Sequence, residues 1–377
     1  MKKWLALLFT AIITPAHAVS IEAGEEKVDI TFGGYAKLDM IMDFGGHRDK
    51  NQFLVRAIPV EGDPDYGAEG YFNMHGKETR FNMNIQRDTE GGEVEKFFIE
   101  MDFYGEDSLS PRLRHAYFQY HDFIVGRYWT NVSDLHAIPY FIDFAYGEGL
   151  YGNRRQQIRW QPQLSEHWQL GLSIEQPETT NIDNPLNFSG EEVAKLPVFS
   201  SRITYQDPIK HLSISAEFGQ LYWDGMGGVE DDSDFAWVIL LSGSYKLKEY
   251  GEFKAAVTHG AGTAKGILGL AAERSSATID INGKIENDVA NTVGASYTHY
   301  ISPDINTTLG YAWVKVDPST YREATDLKGS GIGHVNVLWQ ATKAVDMGLE
   351  YIWGTRRDID QLKGDGTRLQ AMVRYSF

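Results

Sequence analysis

Polar and apolar residues alternate along most of this chain with a period of two. The segment 367–377 shows the pattern best. Its apolar residues are Leu369, Ala371, Val373, Tyr375 and Phe377, and between them lie Arg368, Gln370, Met372, Arg374 and Ser376. Such alternation is typical of a strand with one apolar and one polar face. The segments 81–86, 97–103 and 168–175 alternate in the same way. The pattern predicts an all-β protein, and it fits a soluble sandwich as well as a membrane barrel.

We predict sixteen strands, and the lengths of their connections distinguish between these two folds. The strands lie at about 31–43, 77–88, 93–105, 110–121, 122–131, 154–163, 167–176, 199–207, 211–223, 235–247, 251–261, 288–302, 303–316, 331–342, 344–357 and 366–377. Long connections fall at 45–76, 132–153, 177–198, 224–234, 262–287 and 317–330, and short turns lie between them. A membrane barrel with an even number of strands has short periplasmic turns and long extracellular loops. The chain is therefore predicted to form a transmembrane antiparallel β-barrel.

Aromatic residues support the membrane barrel. They make up 13% of the chain. Pairs of them lie near predicted strand ends, at Tyr128 and Trp129, Tyr222 and Trp223, Tyr311 and Trp313, and Tyr351 and Trp353. Membrane barrels carry an apolar band between two aromatic girdles, whereas a soluble β-protein would need charge on that face. Phe377 continues the apolar pattern, and we expect it to be the signal that the outer-membrane assembly machinery reads.

Residues 1–18 have the features of a secretory signal peptide. Two lysines precede an apolar run over 4–13, and Ala-His-Ala at 16–18 matches the cleavage pattern. We expect cleavage after residue 18, a short periplasmic segment over 19–30 and a barrel over 31–377. Such a protein belongs in the outer membrane of a Gram-negative bacterium, in contact with lipid and lipopolysaccharide.

Composition excludes several kinds of site. The chain has 35 Lys and Arg against 52 Asp and Glu, a formal charge of −17, which argues against nucleic-acid binding. It has no cysteine, so disulfides and thiolate metal sites cannot form. The acidic run of Glu230, Asp231, Asp232 and Asp234 is either a solvated surface or a divalent-cation site that bridges lipopolysaccharide. We favour the solvated surface and expect no cofactor and no metal.

Positive charge is concentrated in one part of this acidic chain. Between residues 112 and 159 there are six arginines against four acids. By strand parity, the basic residues on inward-facing, polar positions are Lys37, Arg80, Arg155, Arg159, Arg202, Arg368 and Arg374. We assign Arg112 and Arg114 to the lumen as well, on a strand whose uneven pattern suggests a tilt or a bulge, and Arg127 is ambiguous. Side chains that face the lumen of such a barrel decide which solutes pass.

Two interpretations of these arginines remain open. Guanidinium groups bind carboxylates in a bidentate manner, which predicts a channel that prefers anions and passes small carboxylates, including dicarboxylates. Alternatively, the arginines pair with acids of the wall and create a transverse field without a net preference. The acids available for such pairs are Asp39, Glu100, Asp102, Asp346 and Glu350.

The long connection 132–153 is too apolar for an ordinary exposed loop. We expect it to fold into the lumen and narrow the channel. The residues of this constriction loop are Tyr140, Phe141, Asp143, Tyr146 and Glu148, with Phe144 and Tyr151 as further aromatic side chains. The alternative is that the connection packs as an apolar patch at a subunit interface.

Six motifs resemble those of the DcaP-like outer-membrane porins. They are FGGYAKLDMIMDFG at 32–45, RFNMNI at 80–85, EKFFIEMDFYG at 95–105, LRHAYFQY at 113–120, GRYWTNVSD at 126–134 and RRQQIRW at 154–160. The resemblance implies a homotrimer of sixteen-stranded channels that pass small anions, typically dicarboxylates. Better-known members carry an N-terminal coiled coil. Here only residues 19–30 precede the first predicted strand, so trimer contacts through such a coil are not expected.

Other functions explain fewer of these features. An outer-membrane barrel enzyme of the lipase or protease type would need a recognisable catalytic motif. None of the 11 histidines lies in a G-x-S-x-G or H-E-x-x-H setting. A soluble, secreted carbohydrate-binding β-protein would need a polar exterior. A general, non-selective porin fits the same fold. We therefore expect a porin that is not an enzyme, and anion preference is the hypothesis to be examined.

Overall fold

A computed structural model describes residues 19–23, 26–88, 94–105, 109–145, 149–267, 270 and 275–377. The predicted signal peptide lies outside these residues. No helix in the described ranges is both long and apolar enough to cross a membrane. Within the same ranges, the only helices are short 3-10 turns at Val55–Ala57, Leu135–Ala137 and Ala264–Gly266.

Sixteen strands form the wall of a closed antiparallel barrel. They are β1 (Glu26–Asp43), β2 (Arg80–Asp88), β3 (Val94–Asp102), β4 (Arg112–Tyr120), β5 (Phe123–Trp129), β6 (Arg154–Trp160), β7 (Trp168–Glu175), β8 (Val198–Gln206), β9 (Lys210–Gly225), β10 (Asp232–Leu247), β11 (Gly251–Ala261), β12 (Val289–Tyr300), β13 (Ile305–Asp317), β14 (Leu327–Gln340), β15 (Val345–Asp358) and β16 (Lys363–Ser376). Each strand pairs with the next, and β16 pairs with β1, for example Val373 with Leu38. The predicted barrel is confirmed. The first strand begins at Glu26 rather than near residue 31, so part of the predicted periplasmic segment belongs to the wall.

The two faces of this wall differ in polarity. On β11, Phe253 and Val257 point outward and are 48% and 45% exposed, whereas Lys254 and Thr258 point inward and are 7% and 2% exposed. The backbone of each strand is satisfied by its two neighbours, which is the condition for crossing a lipid bilayer. An apolar exterior of this extent is the surface that lipid covers, and it excludes the soluble β-protein.

Two long connections fold into the barrel and build a core there. We call residues 44–79 the first loop and residues 130–153 the lumen loop. Phe53 of the first loop is fully buried in the same apolar cluster as Ile352 of β15. Gly354 makes room for it, because a Cβ at that position would lie 2.7 Å from Phe53 Cε1. Deleting a buried side chain of this size costs about 3–5 kcal/mol, so this packing holds the first loop firmly inside the barrel.

Shorter strands complete the structure. Ile182–Asp183, Ala277–Ile279 and Ile285–Asn287 form a small separate sheet at the end of the barrel that carries the long loops. Val19–Ala23, Phe72–His75 and Gly190–Glu192 extend the barrel sheet. Arg322 joins three of the long loops, because its buried guanidinium binds Asp288 at 2.8 Å and also contacts Asp183.

Candidate functional site

The lumen loop is fixed to the inner wall at its start by Asp134. The Asp134 carboxylate lies 2.9 Å from His211 Nε2 on β9 and accepts a 2.6 Å hydrogen bond from Ser242 Oγ on β10. Burial alone would raise the pKa of Asp134, but the hydrogen bonds to His211 and Ser242 lower it to about 2. The carboxylate therefore stays ionised at ordinary pH and holds this end of the loop.

The middle of the lumen loop packs on β11 and β14. Phe141 stacks on the His334 ring with 4.1 Å between centroids. Lys254 Nζ lies 3.9 Å from the centroid of the Tyr140 ring. The Asn336 side-chain amide donates a 2.7 Å hydrogen bond to the backbone carbonyl oxygen of Tyr140. These partners are inward-facing side chains of the wall. This part of the loop therefore lies inside the barrel rather than at an outer subunit contact.

The apex of the lumen loop is held by β1, β15 and the first loop. Glu350 accepts hydrogen bonds from the N–H groups of Ile142 and Asp143, at 2.9 and 3.0 Å. Lys37 Nζ donates to the Ile142 oxygen at 2.9 Å. Asp143 accepts a 3.1 Å hydrogen bond from the N–H of Phe53, which joins the two loops. Burial raises the pKa of Asp143 to about 6, so its charge changes close to neutral pH.

A β-bulge explains the uneven pattern around Arg112 and Arg114. The register between β3 and β4 shifts between Glu100 and Met101, which leaves Arg114 as the extra residue on β4. The bulge reverses the parity of the strand, so Arg112 and Arg114 face the lumen although Ala116 farther along faces outward. The assignment of both arginines to the lumen agrees with this geometry.

Three arginines converge on one ring at the loop apex. The guanidinium carbons of Arg80, Arg112 and Arg114 lie 5.9, 5.8 and 5.5 Å from the centroid of Phe144. Tyr104 stacks on the Phe144 ring with 4.6 Å between centroids, and the Arg112 guanidinium carbon lies 5.4 Å from the Tyr104 centroid. Each such cation–π contact contributes about 0.5–1 kcal/mol where it is exposed. We call Arg80, Arg112 and Arg114 the arginine wall, and the loop apex reaches across the lumen to it.

The arginine wall covers carboxylates that lie behind it. Arg112 binds Asp102 through two contacts of 3.0 and 2.7 Å, and Arg114 binds Asp102 at 2.8 Å and Glu100 at 2.7 Å. Pairing with acids, the second interpretation of the arginines, is thus present here. Exposure is unequal in the Arg112–Asp102 pair, because the Asp102 side chain is 0% exposed and that of Arg112 is 37% exposed. The Arg114 side chain is 3% exposed, less than the 13% of its partner Glu100. A solute in the channel therefore meets the Arg112 guanidinium rather than Asp102, whereas Arg114 is covered.

Arg159 and Arg202 differ from the arginine wall, since neither forms an ion pair with a carboxylate within the described part of the chain. Arg159 Nε donates to Gln157 Oε1 at 2.9 Å, and Arg202 Nη1 donates to the backbone carbonyl oxygen of Ser133 at 2.9 Å. Arg159 is only 2% exposed. It acts on the channel through its electric field rather than by contact with a solute.

The remaining predicted basic residues are bound to acids. Their partners are Glu217, Glu178 and Glu175 for Arg155 (2.9, 3.7 and 3.9 Å), Asp346 for Arg374 (2.7 Å), Asp43 for Arg368 (3.2 Å) and Asp39 for Lys37 (3.2 Å). The Arg374 side chain is 36% exposed, so it can meet a solute. Lys37 and Arg368 are buried, and their charges fix the two loops to β1 and β16.

Two further residues, Tyr35 and Glu78, contribute to this site but could not be predicted from the sequence. Tyr35 lies under the guanidinium groups of both Arg80 and Arg374, at 5.3 and 5.4 Å. Glu78 pairs with Lys37 and lies 3.7 Å from Arg80. Neither residue stands out in an alternating pattern, because its role depends on partners far along the chain. Of the predicted constriction residues, Tyr146 and Glu148 lie outside the described residues.

Two acids of the run near residue 230 pair with lysines of neighbouring loops. Asp232 lies 3.2 Å from Lys284, and Asp231 lies 3.7 Å from Lys195. In the described parts of the chain, no group of His, Asp and Glu residues is arranged to hold a metal ion.

A closed sixteen-strand barrel with an apolar exterior, a charged lumen and a loop folded into that lumen is a transmembrane barrel of the porin class. The comparison with protein families agrees with this architecture. The chain belongs to the DcaP outer membrane protein family, whose model matches residues 13–377.

Solved structures show the same fold. The outer membrane channel DcaP of Acinetobacter baumannii has a TM-score of 0.82 at 22% identity, over 93% of this chain and 97% of that one. An anion-selective porin from Comamonas acidovorans has a TM-score of 0.60 at 12% identity, over 94% and 100% of the chains. OmpT of Vibrio cholerae has a TM-score of 0.56 at 11% identity, over 95% and 100%. At these identities the likeness is one of fold. No curated protein sequence matches the chain.

Proposed function

We propose that this protein is a passive diffusion channel for small hydrophilic solutes that prefers anions and passes small carboxylates, including dicarboxylates. The observation that carries this proposal is the unequal exposure within one ion pair of the arginine wall, Arg112 with Asp102. Arg112 is presented to the lumen, and its partner Asp102 is covered.

Two further features add positive potential. Arg159 and Arg202 form no ion pair with a carboxylate in the described residues. Glu175 attracts both guanidinium groups and Asp134 attracts Arg202, but from beyond ion-pair distance, so their charges are offset less than those of the paired arginines. Their fields act across a narrow lumen with low-dielectric walls, where charge interactions are stronger than in bulk water. Arg112 and Arg374 are more than one third exposed and have planar, bidentate donor groups that match a carboxylate.

Competition by a dicarboxylate tests the solute class. Chloride current through the protein in a planar bilayer is measured while succinate, acetate or glucose is added at constant ionic strength. The proposal predicts that succinate reduces the chloride current more than acetate does, since two carboxylates can meet two exposed guanidinium groups, and that glucose has the smallest effect. The alternative is a general porin, and the observation in its favour is the extensive ion pairing of the wall. Equal effects of the three solutes would support this alternative.

We also propose that the protein is a homotrimer that packs through the outer face of β1, β2 and β3. This face is rich in Phe and Met, and within the described residues no Tyr or Trp points outward from these strands. Its exposed members include Phe32, Leu38, Met42, Phe72, Met74, Phe81 and Phe97. Tyr and Trp belong to lipid interfaces, whereas flexible Met side chains suit contacts between proteins.

The detergent-corrected mass tests the trimer. We expect three chains per particle, and a mass equal to one chain would contradict the proposal. Met83→Lys places a charge on the proposed interface and should release monomers. Met347→Lys is the matched control, because Met347 is exposed on the outer face of β15, away from this interface.

The cleavage after residue 18 and the role of Phe377 as an assembly signal are part of the same proposal. Phe377 lies beside the outward-facing Phe81, with 5.8 Å between ring centroids. N-terminal sequencing of protein from isolated outer membranes should begin at residue 19. Phe377→Ser should lower the amount of assembled protein in that membrane.

A further inference from the structure

The outer wall of the barrel carries a groove that the channel does not use. It has a volume of about 530 Å³ and lies between the outer faces of β5, β6 and β7 and the segment 194–197, which leads into β8. The floor contains Val125, Ile158 and Ile174, and Leu196 forms part of the side. Ile158, Ile174 and Leu196 are each half exposed or more. Because the groove is apolar and lies on the membrane-facing wall, a molecule that fills it must come from the membrane.

A polar row runs directly above this apolar floor. Arg127 of β5 lies opposite Gln156 of β6 in the strand register. The backbone N–H of Gln176 donates a 2.9 Å hydrogen bond to the backbone carbonyl oxygen of Gln156. Arg127 also pairs with Ala116, a residue that faces outward on β4. Arg127, Gln156 and Gln176 therefore lie side by side on the outside of three adjacent strands. The alternating pattern does not decide whether Arg127 faces the lumen or the exterior, and this pairing places it on the outer face.

The row lies at the extracellular end of the wall. Arg127 is two residues from the end of β5, Gln156 is the third residue of β6, and Gln176 directly follows β7. These strand ends lead into the long connections, which are extracellular in a barrel of this kind. The groove and its polar row therefore meet the outer leaflet, at the boundary between acyl chains and headgroups.

Arg127 has no carboxylate within ion-pair distance in the described parts of the chain. Glu178 attracts it from farther away, but Glu178 lies 3.7 Å from Arg155, so Arg127 can still bind an anion. A charged side chain on the lipid face is costly at the bilayer centre and much less so near the interface. The nearby Lys195 is already paired, at 3.5 Å from Asp224 and 3.7 Å from Asp231. A phosphate group above the apolar floor would satisfy the Arg127 guanidinium by bidentate contacts.

We propose that this groove binds lipopolysaccharide, with one acyl chain of its lipid A on the apolar floor and a lipid A phosphate on Arg127. A second copy of this chain is a poorer occupant. The segment 194–197 overhangs the floor, so a flat protein wall would touch the rim, whereas an acyl chain fits the concave space. The face proposed for the trimer lies on β1–β3, on other strands of the barrel.

Native mass spectrometry of the detergent-solubilised protein tests this site with purified lipid A as the probe. We expect one tightly bound lipid A per chain. Arg127→Gln should weaken binding roughly fivefold, the size expected for one basic side chain at an anionic membrane surface, and Leu196→Asp should weaken it as well. The matched control is Lys210→Gln, which removes an outward basic side chain of β9 near the other end of the barrel, away from the proposed trimer face. Retained heat-modifiable mobility on gels shows that each variant is folded.

Three results would overturn the proposal. The first is unchanged lipid A binding by both folded variants. The second is equally tight binding of phosphatidylglycerol with the same dependence on Arg127, because the site would then not be specific for the outer-leaflet lipid. If Leu196→Asp instead dissociates the oligomer while lipid A binding persists, the groove is a protein contact and the assignment is wrong.

Discussion

At the residue scale, the accessible arginines are a small subset of those that the sequence assigns to the lumen. Parity places a side chain on a face, but it does not say how deep the side chain lies. Arg368 and Arg112 are both on inward-facing positions, yet Arg368 is fully buried and the Arg112 side chain is 37% exposed. The difference comes from the lumen loop and the first loop, whose packing depends on residues hundreds of positions apart. Burial of this kind could not be predicted from one sequence.

Arg112→Gln is the single substitution that tests the exposed charge most cleanly. Asp102 keeps Arg114 as a partner at 2.8 Å, so the variant does not leave a carboxylate without a counter-charge. We expect the anion-to-cation permeability ratio to fall by about twofold, because one fixed charge at a narrow point changes the local potential. Lys210→Gln, on the outer face of β9 and away from the proposed trimer interface, is the matched control and should leave the ratio unchanged. A ratio that falls equally in both variants would contradict the role of Arg112.

Arg155 is less suitable for such a test. It lies within 3.9 Å of three carboxylates, those of Glu217, Glu178 and Glu175. Its removal would leave buried negative charge uncompensated, and breaking a buried pair in this way typically costs about 3–5 kcal/mol. A change in selectivity on replacing Arg155 would therefore mix a loss of stability with a loss of pore charge.

At the element scale, the strands follow from local pattern and the loops do not. Alternation and turn residues are local properties, and they predict all sixteen strands. The bulge at Arg114 is set by pairing with β3, and the pattern alone shows only that the strand is uneven. The apolar character of the lumen loop predicts its place in the barrel, whereas its contacts with Glu350 and Phe53 require the closed wall.

Phe144→Ala tests whether the apex of the lumen loop narrows the passage. The ring contacts Tyr104 and the three guanidinium groups of the arginine wall. Its loss should increase single-channel conductance by some tens of per cent, since the narrowest part of a pore dominates its resistance. Phe253→Ala, on the outer face of β11 and outside the proposed trimer interface, should leave conductance unchanged. An unaltered conductance in Phe144→Ala would place the constriction elsewhere.

Asp143 gives the lumen loop a dependence on pH. Its pKa is raised by burial from the ordinary 3.8 to about 6, so the folded protein holds this proton more tightly than the unfolded chain does. Stability should therefore fall as pH rises from about 4 to about 6, by up to about 3 kcal/mol from this group. Asp134 does not interfere in that range, because its pKa is about 2 and its contribution is lost only at lower pH.

Asp143→Asn tests this dependence. The melting temperature of the wild-type protein in detergent should be lower at pH 7.5 than at pH 5, and the variant should lose most of that difference. The variant keeps a side-chain oxygen for the N–H of Phe53, so the join between the loops is retained. An equal pH dependence in both proteins would show that another group titrates.

At the scale of the whole molecule, the barrel combines an apolar exterior with a lumen in which Arg112 and Arg374 are exposed. The formal charge of the chain is −17, and net charge alone would predict cation preference. We propose the reverse, because a solute meets the side chains at the surface of the lumen and not the sum of the charges.

The reversal potential of the wild-type protein in a planar bilayer, measured across a tenfold KCl gradient, tests this central claim most directly. We predict a potential whose sign shows that chloride permeates more readily than potassium, and whose size falls as the salt concentration on both sides is raised, because screening weakens the field of the arginines. A reversal potential near zero, or one whose sign shows potassium preference, would contradict the account.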